Sequence, residues 1–575
     1  MFGVLSSTTK RVTETAVQPF ARKRASFSPK KRLIKDPVWG NLEIFEWENG
    51  LLNHFLFNRL HNIVQNSSAY KVYPGLKYSR FLHSVGVAHV ATQLFENIAT
   101  TSEGAARAAL LKEARALRAF IPVQLRKGIT QTFGRSTPCP TDYLIMLAAV
   151  RVTALVHDIG HLPFSHVFEN AIDGFRRGMF GDALRLTKDA QEQQQHLKNL
   201  LNVREALYEA DTKLHEILGY IILEILQDDL ARNTGDILLA GLIRAALEIL
   251  TTSNFPIAKG LISGTIDADR IDFIRRDGFF SGLFNSSVDY GRMFAFYELA
   301  RHPENGLWLP RPSARTLSET EKLLLERFLD YKCVVVHHTV HLFDEIMENV
   351  LVRLMANGAL SDFVKRLCEL LELPSHKPRG ISGRRNKIDE LQSLLTEFDD
   401  PWLEVAIRQQ YAELKQSGGD ITHLFLHAYV EDRHCFKSAF KTDEDFQKFC
   451  SKYAPQLLRH DPVAIRTAFG APKYALQNAL SKHLQRIVII GPTDRKLNFG
   501  IHDLRAAEFV SVSSLYQYFV GKKIQSCTFN FWYERLEDDE DSPSEHERIV
   551  AKALDFLRKI VVKQMEFNDG DKQVA

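Results

Sequence analysis

The chain has 575 residues, enough to bury a substantial core in two to four domains, and its 73 basic and 70 acidic residues leave a net charge of +3. So small a balance gives no global field of the kind that marks a dedicated nucleic-acid binder. Apolar runs such as residues 220–223 and 238–243 fall well short of the roughly 20 residues a bilayer span needs, so no membrane partner is expected. The six cysteines are scattered without a CxxC pair, which argues against a zinc ribbon or a disulfide framework and favours a reducing, cytoplasmic setting.

Residues 1–34 are rich in Lys, Arg, Ser and Thr, with Glu14 the only acid and no apolar core of a secretory signal. They read as a disordered basic arm; an organelle transit peptide or a nucleic-acid-binding tail is the alternative. Over residues 51–346 apolar positions recur at helical spacing, as in Val87, Val90, Ala91 and Leu94 or Leu214, Leu218, Ile221 and Ile225, so this half is predicted nearly all α. Two stretches, near 100–141 (ending in the loop-like Ser136-Thr137-Pro138-Cys139-Pro140) and near the Gln-rich 176–211, read as peripheral insertions.

Residues 347–484 continue as a helical extension, interrupted by a turn-rich basic loop at 374–387. Beyond Gln485 the character changes. Ile487-Val488-Ile489-Ile490 ends at Gly491-Pro492, and residues 527–532 alternate aromatic and polar, so both are expected to be strands. An acidic loop at 537–545 precedes a final amphipathic helix over 548–564. The fold class is therefore mainly α, with a small C-terminal α/β module over 485–575.

A His-Asp dipeptide occurs three times, at His157-Asp158, His460-Asp461 and His502-Asp503, so context decides its meaning. The second precedes a proline and the third follows Gly500 in a strand-rich tail; both read as surface or loop pairs. The first ends an apolar helix over 144–156, where Gly160 and Pro163 turn the chain and present two ligand-type side chains at a bend. His83 follows Arg80 by three residues and shares its helix face. In Asp267-Ala-Asp269-Arg-Ile-Asp-Phe-Ile-Arg-Arg-Asp277, the residues Asp269, Phe273 and Asp277 stack at i, i+4 and i+8. Imidazoles with carboxylates suit a divalent ion such as Mn, Mg, Fe, Ni or Zn.

Three segments in this order, Arg80-Phe-Leu-His83-Ser-Val-Gly-Val, His157-Asp-Ile-Gly-His161-Leu-Pro-Phe-Ser-His166 and Asp267-Ala-Asp269-Arg-Ile-Asp, resemble the deoxynucleoside triphosphate triphosphohydrolase branch of the HD superfamily. The similarity covers about residues 35–346, which become the expected HD core. It implies metal ligation by His83, His157, Asp158 and Asp269. It also implies an active-site histidine at His166 with Glu169 as its supporting carboxylate, and further active-site histidines at His161 and His215. Arg80, Arg270 and Arg327 match phosphate-contacting cations, while Gln65 and Asp277 match contacts to the sugar 3′-hydroxyl.

Two departures bear on the sugar. Asn66 stands where the human member has an apolar residue beside it, and Phe273 where a tyrosine helps exclude a 2′-hydroxyl, so a relaxed choice of deoxyribose is expected. The resemblance implies hydrolysis of a dNTP to nucleoside and triphosphate, in a homo-oligomer with an allosteric nucleotide site. Two other readings stay open. One is another HD phosphohydrolase, acting on nucleoside monophosphates, phosphodiesters or single-stranded nucleic-acid ends. The other is a nucleotide-binding regulatory protein with a silent site, against which the intact ligands and the three further histidines count.

Overall fold

The computed structural model describes residues 31–133, 141–179, 184–208, 212–264, 266–302, 305–373, 396–416, 421–432, 434–459, 473–491, 530–536 and 542–572. Most of the expected basic arm, the loop at 374–387 and the second and third His-Asp pairs lie outside them. Residues 31–34 do not belong to an arm. They open strand β1 (Lys31–Asp36), which pairs antiparallel with β2 (Gly40–Phe45), Ile34 opposite Leu42.

The helices that carry the core follow in chain order: α1 (Arg80–Thr101), α2 (Gly104–Leu117), α3 (Val123–Phe133), α4 (Thr141–Val156), α5 (His166–Arg176), α6 (Lys188–Glu205), α7 (Leu214–Asp229), α8 (Ile237–Thr251), α9 (Pro256–Ile262) and α10 (Ala268–Ser281). Helix α4 is buried from Tyr143 to Val156, as a helix apolar on all sides must be, and α1, α2, α3, α8 and α9 pack around it. Each fully buried Val, Leu or Ile there contributes roughly 1.5–3 kcal/mol. Its one buried charge is paired: Arg151 donates to both Glu48 carboxylate oxygens (2.6 and 2.9 Å), to Thr92 Oγ1 (2.7 Å) and to the Glu43 carbonyl (3.0 Å). An antiparallel hairpin, β3 (Tyr297–Arg301) with β4 (Trp308–Pro312), then leads to α11 (Leu317–Asp330) and α12 (His338–Ala356).

The stretches expected to be peripheral insertions contribute to this core. Leu110, Ala114 and Leu117 of α2 are fully buried, and Leu197 and Leu201 of α6 likewise. Glu113 of α2, 6% exposed, accepts the Ile257 and Ala258 N–H groups (3.1 and 2.8 Å) at the start of α9. Burial pushes this carboxyl from 4.5 up to about 7, against the opposing pull of those two hydrogen bonds. A raised folded-state pKa means stability is fullest below the unfolded value and is lost as pH rises through about 7. Thermal melts from pH 4.5 to 8 are therefore expected to fall less steeply for Glu113→Gln than for the wild type; equal slopes would show that Glu113 is not the group responsible.

The helical extension comprises α13 (Ser361–Leu371), α14 (Asp400–Gln416) and α15 (Ile421–Val430). The C-terminal module starts earlier than Gln485. Its sheet has the order β5-β7-β6, and its edge strand β5 (Phe436–Ser438) comes from the region expected to be helical extension. Strands β6 (Val488–Ile490) and β7 (Phe531–Glu534) pair antiparallel, Ile489 opposite Trp532. Side chains alternate across the pleat. Ile489 and Trp532 join the main core; Val488, Ile490, Phe531 and Tyr533 join a second core with α16 (Asp443–Tyr453), α17 (Lys473–Leu484) and α18 (Pro543–Lys572). Too short to show a periodic pattern, β5 gives no strand signal in the sequence. No single described helix is long and apolar enough to cross a membrane.

Candidate metal centre and adjoining histidine cluster

Two close helix approaches assemble the site. A Cβ on Gly86 of α1 would sit 2.0 Å from Asp272 Oδ1 and 2.2 Å from Arg276 Nη2 of α10, so only glycine lets α10 lie this near His83. A Cβ on Gly160 would sit 2.0 Å from the His215 carbonyl oxygen and 2.3 Å from the Gly219 nitrogen, which holds α7 against the bend after α4.

His83, fully buried on α1, points Nε2 at Asp269 Oδ1 (3.0 Å) and lies 3.8 Å from Asp158 Oδ2. Its Nδ1 lies 2.8 Å from Asp272 Oδ2, and Asp272 in turn accepts from Arg276 Nε (2.7 Å) and Trp39 Nε1 (2.6 Å). Burial lowers the His83 pKa, but hydrogen bonds to Asp269 and Asp272 overcome it and raise the group to about 10. Burial also opposes ionisation of Asp158 and Asp269, yet the neighbouring histidines, with Arg80 beside Asp158, hold both carboxyls below the usual range. Both carboxylates are thus kept ionised, the form in which they bind a metal.

His157 supplies the test of fit. Its Nδ1 donates to the Ala154 carbonyl (2.7 Å), which fixes the tautomer and turns the Nε2 lone pair inward. That Nε2 is buried and lacks a hydrogen-bond partner, with Asp158 Oδ1 at 3.5 Å and Asp269 Oδ1 at 3.8 Å. Ligands bound at about 2.1 Å to one divalent ion sit roughly 3 to 4 Å apart. The donor set, the spacing and the orphaned nitrogen all fit such an ion.

Asp158 joins this centre to a second cluster, for its Oδ1 lies 3.4 Å from His161 Nε2. His161 stacks on His215 with ring centroids 4.0 Å apart, and His166 stands edge-on to both at 5.0 and 5.4 Å. Glu169 ties the group: Oε2 accepts from His166 Nδ1 (3.0 Å), and Oε1 accepts from the His215 backbone N–H (2.6 Å) and lies 2.8 Å from His215 Nδ1. Burial, opposing, is outweighed by His215 and His166, which hold Glu169 well below the usual carboxylate range. Burial, Arg80 and His215 push the His161 pKa far down, which favours the neutral imidazole. His166 has half its side chain exposed, yet burial of the ring within the protein lowers its pKa while Glu169 pulls it back up.

The residues expected to contact phosphate and sugar divide. Arg80 is 2% exposed and fully engaged by the protein, donating to Asp158, to Ser165 Oγ (2.9 Å) and to the Gln65 carbonyl (3.3 Å). Its geometry is that of a brace rather than an open phosphate receptor. Arg270 pairs with Asp267 but remains partly exposed, and its charge lies close enough to Arg327 to add to the lowering that burial causes there. Gln65 Oε1 is buried without a partner. Asp277 accepts from Tyr78 Oη and from Asn66 Nδ2, both at 2.6 Å, so the amide that departs from the family pattern holds this carboxylate; Phe273, one turn earlier, is partly buried against the core.

Three acids in or beside the site are not legible as functional in the sequence. Asp272 orients His83 and stands inside the Asp-Arg-Ile-Asp segment, where its spacing from Asp269 is the available signal. Asp330 is fully buried with neither carboxylate oxygen hydrogen-bonded, and burial together with Asp277 raises its pKa well above normal. Asp400 comes from α14, far along the chain, and belongs to no motif.

No family model matches the chain. It is 23% identical over 326 residues to an uncharacterized protein of Methanocaldococcus jannaschii, covering 56% of this chain and 49% of that protein. It is 25% identical over 287 residues to the deoxynucleoside triphosphate triphosphohydrolase SAMHD1 of Danio rerio, covering 46% of this chain and 36% of that protein. With the protein of the same name from Gallus gallus it shares 31% identity over 138 residues, 24% of this chain and 17% of the relative. The chain thus spans half or less of the length of each of these relatives. A phosphohydrolase from Bacteroides thetaiotaomicron has the same fold, with a TM-score of 0.51 at 17% identity over 88% of this chain and all of that one. On the motifs, the fold and these relatives, the chain resembles the metal-dependent phosphohydrolases of the HD superfamily and, among them, the deoxynucleoside triphosphate triphosphohydrolases.

Proposed function

We propose that the chain hydrolyses deoxynucleoside triphosphates to the deoxynucleoside and inorganic triphosphate. The observation that carries this reading is the orphaned His157 Nε2 inside a carboxylate set, joined through Asp158 to a histidine cluster of which His166 is half exposed. A divalent ion (Mn, Mg, Fe, Ni or Zn) held by His83, His157, Asp158 and Asp269 would polarise a phosphoryl oxygen and make water nucleophilic at neutral pH. Release of nucleoside breaks the bond between the α-phosphorus and the 5′-oxygen, and the departing oxygen needs a proton. His166, held by Glu169 through Nδ1, has Nε2 available to deliver it. Neutral His161 and the partly exposed Arg270, with Arg327 nearby, offer donors and charge to the phosphates. Gln65 and Asp277 offer an acceptor and a carboxylate to sugar hydroxyls. The same reading carries with it a homo-oligomer in the cytoplasm, with nucleotide as substrate and as allosteric ligand.

Metal-reconstituted protein incubated with dNTPs, NTPs and single-stranded DNA, its products separated by chromatography, tests the proposal. Nucleoside and triphosphate are expected from at least one dNTP. Monophosphates or shortened DNA would instead assign the site to another class of HD phosphohydrolase, and no turnover by metal-loaded protein would leave a silent nucleotide-binding site.

A further inference from the structure

The turn that delivers His166 is strained. Phe164 and Ser165, side by side, have φ of 52° and 53°, a region that side chains other than glycine rarely occupy. Such a conformation persists only where its surroundings over-determine it, and here the turn is held from several directions. The Phe164 carbonyl accepts from Ser67 Oγ (2.8 Å). Ser165 Oγ donates to the Val64 carbonyl (2.7 Å) and accepts from Arg80 Nε (2.9 Å). On the preceding residues, Arg59 donates to the Ile159 and His161 carbonyls (2.8 and 2.6 Å).

The remaining hold comes from outside the expected HD core. Asp400, 6% exposed in the first turn of α14, accepts the Phe164 N–H with Oδ1 (2.8 Å) and the Val64 N–H with Oδ2 (2.9 Å). Its neighbour Asp399 serves the helix end, accepting from the Trp402 N–H (3.0 Å), which leaves Asp400 to reach inward. One carboxylate thus pins two active-site segments together: the turn that precedes His166, and the strand bridge that leads into Gln65.

Resting on the phosphohydrolase reading, we propose that Asp400 is a positioning residue: by clamping Val64 to Phe164 it sets the direction of the His166 imidazole, and so makes catalysis depend on the C-terminal extension. Asp400→Ala leaves both N–H groups without their acceptor and lets the strained turn relax. An imidazole displaced by about 1 Å from its productive place loses on the order of 100-fold in rate. Asn keeps one acceptor oxygen but presents its NH₂ to the other N–H, so Asp400→Asn falls between the two.

The test uses full-length, metal-loaded protein. For Asp400→Ala we expect kcat on a dNTP to fall roughly 30- to 100-fold with KM within about three-fold and metal content unchanged, and for Asp400→Asn a smaller loss. A purely structural residue would lower the melting temperature but leave kcat per metal-loaded molecule intact, and kcat within about two-fold of wild type overturns the proposal. A second readout is independent of turnover. The groups facing His166 are Glu169 on its own helix, His161, His215 and Arg80, and their distances change if the turn moves. Histidine-selective NMR titration, with His166 assigned through His166→Gln, is expected to show its pKa displaced by about half a unit or more in Asp400→Ala. An unchanged titration overturns the proposal even if no nucleotide is hydrolysed, whereas a displaced titration without any turnover would count against the proposed function alone.

Discussion

Replacing His157 with alanine is expected to abolish metal binding and to reduce hydrolysis by on the order of 10⁴-fold or more. The imidazole is locked by Ala154 with its other nitrogen turned into the carboxylate set. Without an ion, nothing in the set remains to activate water at neutral pH. Metal analysis of the purified variant, with circular dichroism as the control for folding, checks this directly: stoichiometric metal with wild-type turnover would remove His157 from the ligand set. Asp272 sharpens the expectation. Because it fixes His83 through Nδ1, its loss should weaken rather than eliminate binding, by the roughly 10- to 100-fold typical of groups that orient a metal-binding histidine.

The second large effect is expected at Glu169. Glu169→Gln preserves the shape of the side chain but removes the charge shared by His166 and His215. General acid catalysis by His166 is worth roughly 10²- to 10⁴-fold in kcat, and Glu169→Gln, which leaves the imidazole but removes its supporting charge, is expected to lose a large part of it. The sign of the accompanying pH change follows from the groups involved. The surrounding protein lowers the His166 pKa and Glu169 raises it, so without the carboxylate the imidazole loses its proton at lower pH. The alkaline limb of the kcat profile is therefore expected to move toward acid in Glu169→Gln. A uniform drop in kcat with no displacement of that limb would separate Glu169 from proton transfer.

Much of the candidate metal centre is readable in the sequence because a divalent ion would demand particular side chains, and the ordered segments around His83, His157-Asp158 and Asp269 supply them in a context that a bare dipeptide lacks. The structure brings His83, His157 and Asp269 together, with Asp158 3.8 Å from His83 and 3.5 Å from His157, and gathers His161, His166, Glu169 and His215 in a second cluster. What stays hidden has a physical cause in each case. Asp400 acts on backbone N–H groups, which every residue but proline carries, so nothing in the sequence marks its partners. Arg80 matches a phosphate contact by position, but the same guanidinium satisfies Asp158, Ser165 and Gln65, a division that only three-dimensional packing decides. Helix α2 reads as peripheral because its Ala- and Arg-rich composition dilutes the apolar stripe formed by Leu110, Ala114 and Leu117. The mainly α character, by contrast, follows directly from the periodicity over residues 51–346.

The contact between Gly160 and Gly219 places a demand on the protein that no ligand residue expresses. With no side chain on either, the bend after α4 and the second turn of α7 meet backbone to backbone, and the stacking of His161 on His215 inherits its spacing from that meeting. A single methyl group at Gly160, chemically inert, would act as a wedge and push apart the two stacked imidazoles. The smallest possible change in composition at this point is thus a mechanical one, and the spacing within the cluster is limited by how closely two stretches of bare peptide can lie.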